Sequence, residues 1–196
     1  MHTIPRSEDR HVVARPPDEG FTLIELLVVL LIIGILLAIA IPTFLSTTTT
    51  ANNTSAQADL KTALTGADTY FMNAGGQSYA YLDSSAGGTS AISTVGTGLT
   101  YVSGPGAANS STGPHVISVY VQTTSGNAVV LTALAHGSMD CWGILDIKQQ
   151  LGTTLDQETA VGTYYFVVQN SSASACNAKT VSPSAANVSS VAFPHG

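Results

Sequence analysis

The chain has 196 residues, room for one domain of ordinary size. Only 9% of them are charged, 6 Lys plus Arg against 12 Asp plus Glu, far below the globular norm of about 25%. With a mean hydropathy of +0.28, this composition argues against an ordinary cytosolic enzyme. The net charge of −6 argues against a nucleic-acid partner, because phosphates are held by Lys and Arg.

The apolar excess sits in one block. From Leu26 to Ile41 there is no polar side chain over 16 residues, and the stretch Phe21 to Leu45 is broken only by Thr22, Glu25, Pro42 and Thr43. About 20 residues at 1.5 Å each cross a bilayer core, so this block predicts a membrane span. Arg6, Arg10 and Arg15 precede it and the next basic residue is Lys61, an asymmetry that places the N-terminus inside and everything from Ser46 onward outside. A secretory signal peptide carries a small-residue cleavage site after its apolar core. Here Pro42-Thr43-Phe44-Leu45 follows the core and Gly20 precedes it, so the block is retained and any cut falls ahead of it.

Glu25 is a carboxylate near the end of a membrane helix, which costs about 2–3 kcal/mol on insertion scales and is characteristically paired or functional. A cut after Gly20 frees an α-amino group on Phe21, one helical turn away, and two opposite charges in low dielectric attract strongly. The residues Gly20-Phe21-Thr22-Leu23-Ile24-Glu25-Leu26-Leu27-Val28-Val29 resemble the processing and methylation motif of type IV prepilins, and Pro42 stands where those proteins carry a helix-kinking proline. The resemblance implies cleavage between Gly20 and Phe21 by a prepilin peptidase, N-methylation of Phe21, Glu25 as the assembly carboxylate, and polymerisation through the N-terminal helix. The 20-residue leader departs from many such proteins in length and in carrying Glu8, Asp9, Asp18 and Glu19.

Pro42 inside a helix removes a hydrogen bond and clashes with the preceding turn, which predicts a kink. Beyond it, Ala56, Leu60, Ala63, Leu64, Ala67 and Phe71 recur at helical spacing. This predicts a helix running to about Met72, some 75 Å in all, with its second half packed on a globular head. Residues 73–115 are rich in Gly, Ser and Thr and read as an ordered surface loop with one short strand or helix. Four β-rich runs follow: His115–Val121, Ala128–Leu134, Cys141–Lys148 and Gly162–Val168, the first two joined by Thr123-Thr124-Ser125-Gly126-Asn127. Laid against the helix, each strand is expected to bury one face.

Cys141 and Cys176 are the two cysteines, and in an exported domain an even pair reads as a disulfide; closing 35 residues is worth roughly 4 kcal/mol in the chain-entropy model. Cys141-Trp142, then Gly162-Thr163-Tyr164-Tyr165, then Cys176 also resembles pilin-type proteins of actinobacteria. His115, His136 and His195 are scattered and make no catalytic set. Asp140, Asp146, Asp156 and Glu158 lack the spacing of a calcium loop, so no metal or other cofactor is expected.

The expected fold class is α+β, the type IV pilin fold, with a long helix on an antiparallel sheet of about four strands. The expected segments are a leader 1–20, a transmembrane and filament-core half 21–45, an amphipathic half 46–72, a loop 73–115 and a sheet with a disulfide-closed end 116–196. The expected function is non-enzymatic: an inner-membrane precursor that becomes the subunit of an extracellular pilus. Its partners are further copies of itself, the prepilin peptidase, the inner-membrane assembly machinery and, before assembly, the membrane. Two alternatives stand beside it, a pseudopilin or minor pilin of a secretion or DNA-uptake machine, and a membrane-anchored extracellular binding or enzymatic domain.

Overall fold

The structure, a computed structural model, describes residues 20–73, 77–82, 92–95, 98–104, 106–121, 126–151, 160–169, 171–181 and 187–194. The expected leader residues 1–19, the turn tip 123–125, and Asp156, Glu158 and His195 lie outside the described residues. Two compact units divide the chain, one ending at Thr43 and one running from Phe44 to Gly196.

Helix α1 spans Leu23–Asn73 and includes Pro42. Within the first unit its side chains Leu23 to Ile41 are exposed along their whole length. All of its buried residues, Ala56, Leu60, Ala63, Gly66 and Ala67, belong to the second unit. They lie on one face of the helix, and four of the five are Ala or Gly. Small side chains let a helix approach a sheet closely while Leu60 supplies the volume that fills the interface.

The sheet has six strands in sequence order: β1 Thr100–Ser103, β2 Val116–Val121, β3 Ala128–Ala135, β4 Asp140–Ile147, β5 Gly162–Val168 and β6 Val188–Ser189. The central four run antiparallel and coincide with the four β-rich runs of the sequence. Both edges correct the expectation of a purely antiparallel sheet of about four strands. At one edge β1 pairs parallel to β2, in the register Thr100↔Val116 to Ser103↔Val119. At the other, β6 adds Val188 opposite Phe166. Runs of four and two residues inside Gly/Ser/Thr-rich sequence carry too little alternation to stand out as strands. A short α2, Ile92–Val95, precedes β1, with Ile92 fully buried.

A second correction concerns burial. Strands β3 and β4 are buried at every position, on both faces. The pleat sends Val129, Leu131, Ala133 and Ala135 of β3, with Trp142 and Ile144 of β4, toward α1. Their neighbours Ala128, Val130, Leu134, Cys141, Leu145 and Ile147 pack with Cys176, Ala178 and Val181 on the opposite face. The C-terminal segment thus roofs a sheet face that was expected to be open, which is why Ala128–Ala135 reads as a nearly continuous apolar run. Gly143 stands opposite Phe166, and a Cβ there would overlap the Phe166 ring. The missing side chain is the seat of that ring.

Cys141 at the start of β4 is bonded to Cys176, with Cα atoms 5.3 Å apart. The next residue, Asn177, is 1% exposed. Its Nδ2 donates to the carbonyls of Gly104 (3.2 Å), Gly106 (3.2 Å) and Asn109 (3.0 Å), and its Oδ1 accepts the Lys179 amide at 2.9 Å. Gly104 and Gly106 hold φ of 113° and 97°, values that favour glycine and that let their carbonyls converge. Ser118 extends the seam, its hydroxyl donating to Asn109 O at 2.7 Å and accepting the Ala178 amide at 3.1 Å.

Because a buried carbonyl left without a donor costs about 1–3 kcal/mol, Asn177→Ala is expected to lower unfolding stability by about 2–3 kcal/mol. Replacing Cys141 and Cys176 together by Ser is expected to cost about 2–5 kcal/mol. Urea titrations followed by Trp142 fluorescence check both. A loss below about 0.5 kcal/mol for Asn177→Ala would mean that water replaces the amide without cost and that the seam is incidental.

Candidate functional site

The candidate site is the start of α1. Gly20 and Phe21 precede the helix in irregular backbone and are exposed, Phe21 at 92%. Thr22 caps it. The Thr22 amide donates to Glu25 Oε2 at 2.8 Å, the Thr22 hydroxyl donates to the same oxygen at 2.8 Å, and the Glu25 amide donates back to Thr22 Oγ1 at 3.3 Å. The Thr22 carbonyl accepts the Leu26 amide at 3.3 Å. This is a reciprocal capping box, in which side chains satisfy amides that have no partner inside the helix. It also places a carboxylate at the positive end of the helix dipole, where an anion is favoured.

The cap was legible and was missed: Thr22-x-x-Glu25 has the spacing of a capping box, and attention to Glu25 as a membrane carboxylate passed over Thr22. Beyond the cap, Leu26 to Ile41 present exposed apolar side chains. Among the described residues α1 is the one helix long and apolar enough to cross a membrane. The structure therefore brings together the exposed Gly20–Phe21 peptide, a carboxylate one turn beyond it, and an apolar helix long enough to cross a membrane.

Residues 15–41 match the prokaryotic N-terminal methylation motif. Over 56 residues the chain is 45% identical to the type IV major pilin protein PilA of Myxococcus xanthus (strain DK1622), an alignment that covers 29% of this chain and 26% of that protein. The N-terminal segment is similar to that of a type IV pilin. The match thus spans about a quarter of the relative's length. No solved structure matches the chain. The α+β arrangement described above, a long helix whose second half lies on a sheet, fits the type IV pilin fold.

In the second unit, the polar residues singled out from sequence are dispersed. His115 Nδ1 lies 3.1 Å from Asp59 Oδ2, and His136 Nε2 lies 3.1 Å from the Thr112 carbonyl. Cys141 is oxidised. Asp146 is 1% exposed and committed to three partners: Lys148 Nζ at 3.0 Å, Thr163 Oγ1 at 2.6 Å and the Tyr79 hydroxyl. Lys148 also pairs with Asp68 of α1 at 2.7 Å, and the Tyr79 hydroxyl also reaches Asp68 Oδ1 at 3.1 Å. Among the described residues no three His, Cys, Asp or Glu are grouped to hold a metal.

The Asp68–Lys148–Asp146–Tyr79 network went unread in the sequence because Asp68 and Tyr79 precede Asp146 and Lys148 by at least 67 residues. It joins α1 to the segment after it and to β4 and β5. Burial, followed by the negative charge of Asp146, raises the Tyr79 hydroxyl pKa far above 10.0. For Lys148, burial lowers the pKa, but hydrogen bonds and charge from Asp68 and Asp146 outweigh it, and the net shift from 10.5 is upward.

Both groups hold their protons more tightly folded than unfolded. The stability they contribute is complete below about pH 10 and is lost as pH rises from there through their folded values. Urea titrations between pH 8 and 12 are expected to show stability falling above about pH 10, with a shallower fall in Tyr79→Phe, which removes the phenol that must ionise on unfolding. Identical alkaline slopes in the two proteins would remove Tyr79 from the explanation.

Proposed function

We propose that this chain is the structural subunit of an extracellular type IV pilus, inserted as a precursor with its N-terminus inside, then cleaved, methylated and polymerised. The observation that carries the reading is the Thr22–Glu25 cap heading an apolar, uncovered helix within a matched methylation motif. Hydrolysis of the Gly20–Phe21 amide by a prepilin peptidase adds water across that bond, leaving the Gly20 carboxylate on the leader and an α-amino group on Phe21. Methyl transfer from a sulfonium-type methyl donor to that nitrogen forms a C–N bond, breaks the donor's C–S bond and releases one proton, leaving a secondary amine that still carries a positive charge when protonated.

Glu25 then becomes the counter-charge for a Phe21 amine, in its own chain or an adjacent one. Pairing the two neutralises the helix end, which lets it leave the headgroup region for a bundle of like helices. Apolar side chains gain little on moving from lipid to such a bundle, so helix packing and this charge pair supply the driving force. Pro42 has no backbone N–H and so removes one link from the hydrogen-bond ladder of α1. The disulfide between Cys141 and Cys176 belongs with an oxidising exterior.

Mass spectrometry of material sheared from the cell surface is expected to find a dominant N-terminal peptide beginning at Phe21 and carrying one added methyl group. A surface fraction lacking it, with membranes holding a chain that still begins near Met1, overturns the reading in favour of an anchored domain. Glu25→Ala is expected to be inserted and cleaved but to lower filament yield about tenfold or more, since it leaves the Phe21 amine without a partner. Normal yield from that variant excludes the charge pair as the driving contact.

A further inference from the structure

Where the edge strand β1 meets α1, the polar groups are unevenly matched. Tyr101 of β1 packs against the α1-facing core, and its hydroxyl oxygen is buried. Among the described residues it is the one buried side-chain polar atom without a hydrogen-bond partner. Such a phenol has given up water for nothing, which is unfavourable unless an acceptor comes within reach.

Asp59 of α1 is that acceptor. Burial, and after it the negative charge of Asp59, raises the Tyr101 pKa above 10.0, so the carboxylate stands near the hydroxyl. Yet both its oxygens face His115 Nδ1, Oδ1 at 3.2 Å and Oδ2 at 3.1 Å. The Asp59 side chain is 16% exposed and that of His115 is 60% exposed. A mostly buried carboxylate is thus turned toward a wet imidazole, while a buried hydroxyl beside it has no acceptor.

Strand register explains why one carboxylate can serve both. Tyr101 lies opposite Ile117 in the parallel pair, and His115 stands two residues before Ile117. His115 and Tyr101 are therefore diagonal neighbours, about 8 Å apart at ordinary strand spacing. Rotation about the Asp59 side-chain bonds moves the carboxylate between them. The His115 carbonyl accepts the Thr100 amide at 2.8 Å, so the turn before β2 and the start of β1 are joined. His115 also holds a φ of 59°, where glycine is the relaxed choice. Of the other ionisable groups nearby, His136 lines the same recess but its Nε2 donates to the Thr112 carbonyl at 3.1 Å. Lys61 stands over the Phe193 ring, 5.8 Å from its centre.

We propose that Asp59 is a two-position carboxylate governed by His115: it pairs with the imidazolium, and when His115 loses its proton to solvent it turns to accept the Tyr101 hydroxyl. A charged partner holds a carboxylate more strongly than a phenol does, and a neutral imidazole at the surface does not. Since imidazoles change charge between pH 5 and 8, α1 grips the turn before β2 at the acid end and β1 at the other. The device lies within the second unit and stands apart from the pilus reading.

The test heats the full chain in detergent micelles at pH 5 and at pH 8.5, with Trp142, its one tryptophan, reporting the second unit. Tyr101→Phe removes the hydroxyl alone. At pH 5 its midpoint is expected to equal or exceed that of the unmodified chain, because the hydroxyl has no acceptor there. At pH 8.5 it is expected to fall about 3–6 °C below, because Asp59 loses its donor. This dependence on pH is expected to vanish when His115→Gln or Asp59→Asn is also present, and to survive His136→Gln.

A Tyr101→Phe shift that is the same at both pH values, as a water on the hydroxyl gives, overturns the proposal. So does a pH dependence that persists with His115→Gln. Should Tyr101→Phe fail to fold, the carbon-13 resonances of the tyrosine Cζ atoms decide. One that moves between pH 5 and pH 8.5 in the unmodified chain and stays still in His115→Gln supports the proposal, and any other pattern overturns it.

Discussion

An exposed apolar helix surface governs everything else in this molecule. Leu26 to Ile41 offer no polar side chain, and their large apolar side chains are exposed. Leaving a Leu or Ile in water instead of burying it costs roughly 1.5–3 kcal/mol, so a run of this length cannot exist as free surface. Lipid and a bundle of like helices are the two surroundings that remove the cost, and they do so about equally. Glu25 is the acidic group in the first turn of that helix. The Thr22 amide and hydroxyl both donate to it, so the carboxylate is held in a defined place.

The head solves a separate problem. A domain with so few charges cannot rely on surface ion pairs, and exposed pairs contribute little in any case. Its polar groups are instead drawn inward and paired. Asp146 is satisfied by Lys148, Thr163 and Tyr79, and Asn177 gathers three carbonyls next to the disulfide. Each arrangement connects segments that the sheet ladder alone leaves apart: α1 with β4 and β5 in the first case, the loop before β2 with the C-terminal segment in the second. Covering the sheet on both faces makes β3 and β4 fully internal, and the disulfide fixes the covering segment to the strand beneath it.

Much of this was legible because it is written in local patterns. The apolar block, the Gly20–Glu25 motif, the four β-rich runs and the even cysteine pair each depend on residues close in sequence or on a count of two. What escaped depends on pairing over distance. A short strand or helix was expected within residues 73–115, but the parallel pairing of Thr100–Ser103 comes from Val116–Val119, and the two-residue strand Val188–Ser189 from Tyr165 and Phe166. The alternation expected of a one-faced strand is absent from Ala128–Ala135 because the roof comes from residues 40 or more positions later, a fact no local window contains. The Thr22 cap is different in kind: the Thr22-x-x-Glu25 spacing of a capping box is local and present in the sequence.

The threonines of α1 tie the two surroundings together. Threonine is a poor helix former whose β-branched side chain loses rotamer freedom, so the row Thr47–Thr50 is an unfavourable choice if helix stability were the aim. In the structure Thr43, Thr48, Thr49, Thr50 and Thr54 each return the hydroxyl proton to a carbonyl three or four residues back. The helix loses a little stability by this back-bonding, and it acquires a surface that water can wet through the oxygen lone pairs yet that can also be covered without stranding a donor. Serine would satisfy the same carbonyl with less bulk, and alanine would remove the hydroxyl. Threonine adds a methyl group that packs, and that combination suits a stretch placed between an apolar helix start and a water-exposed head.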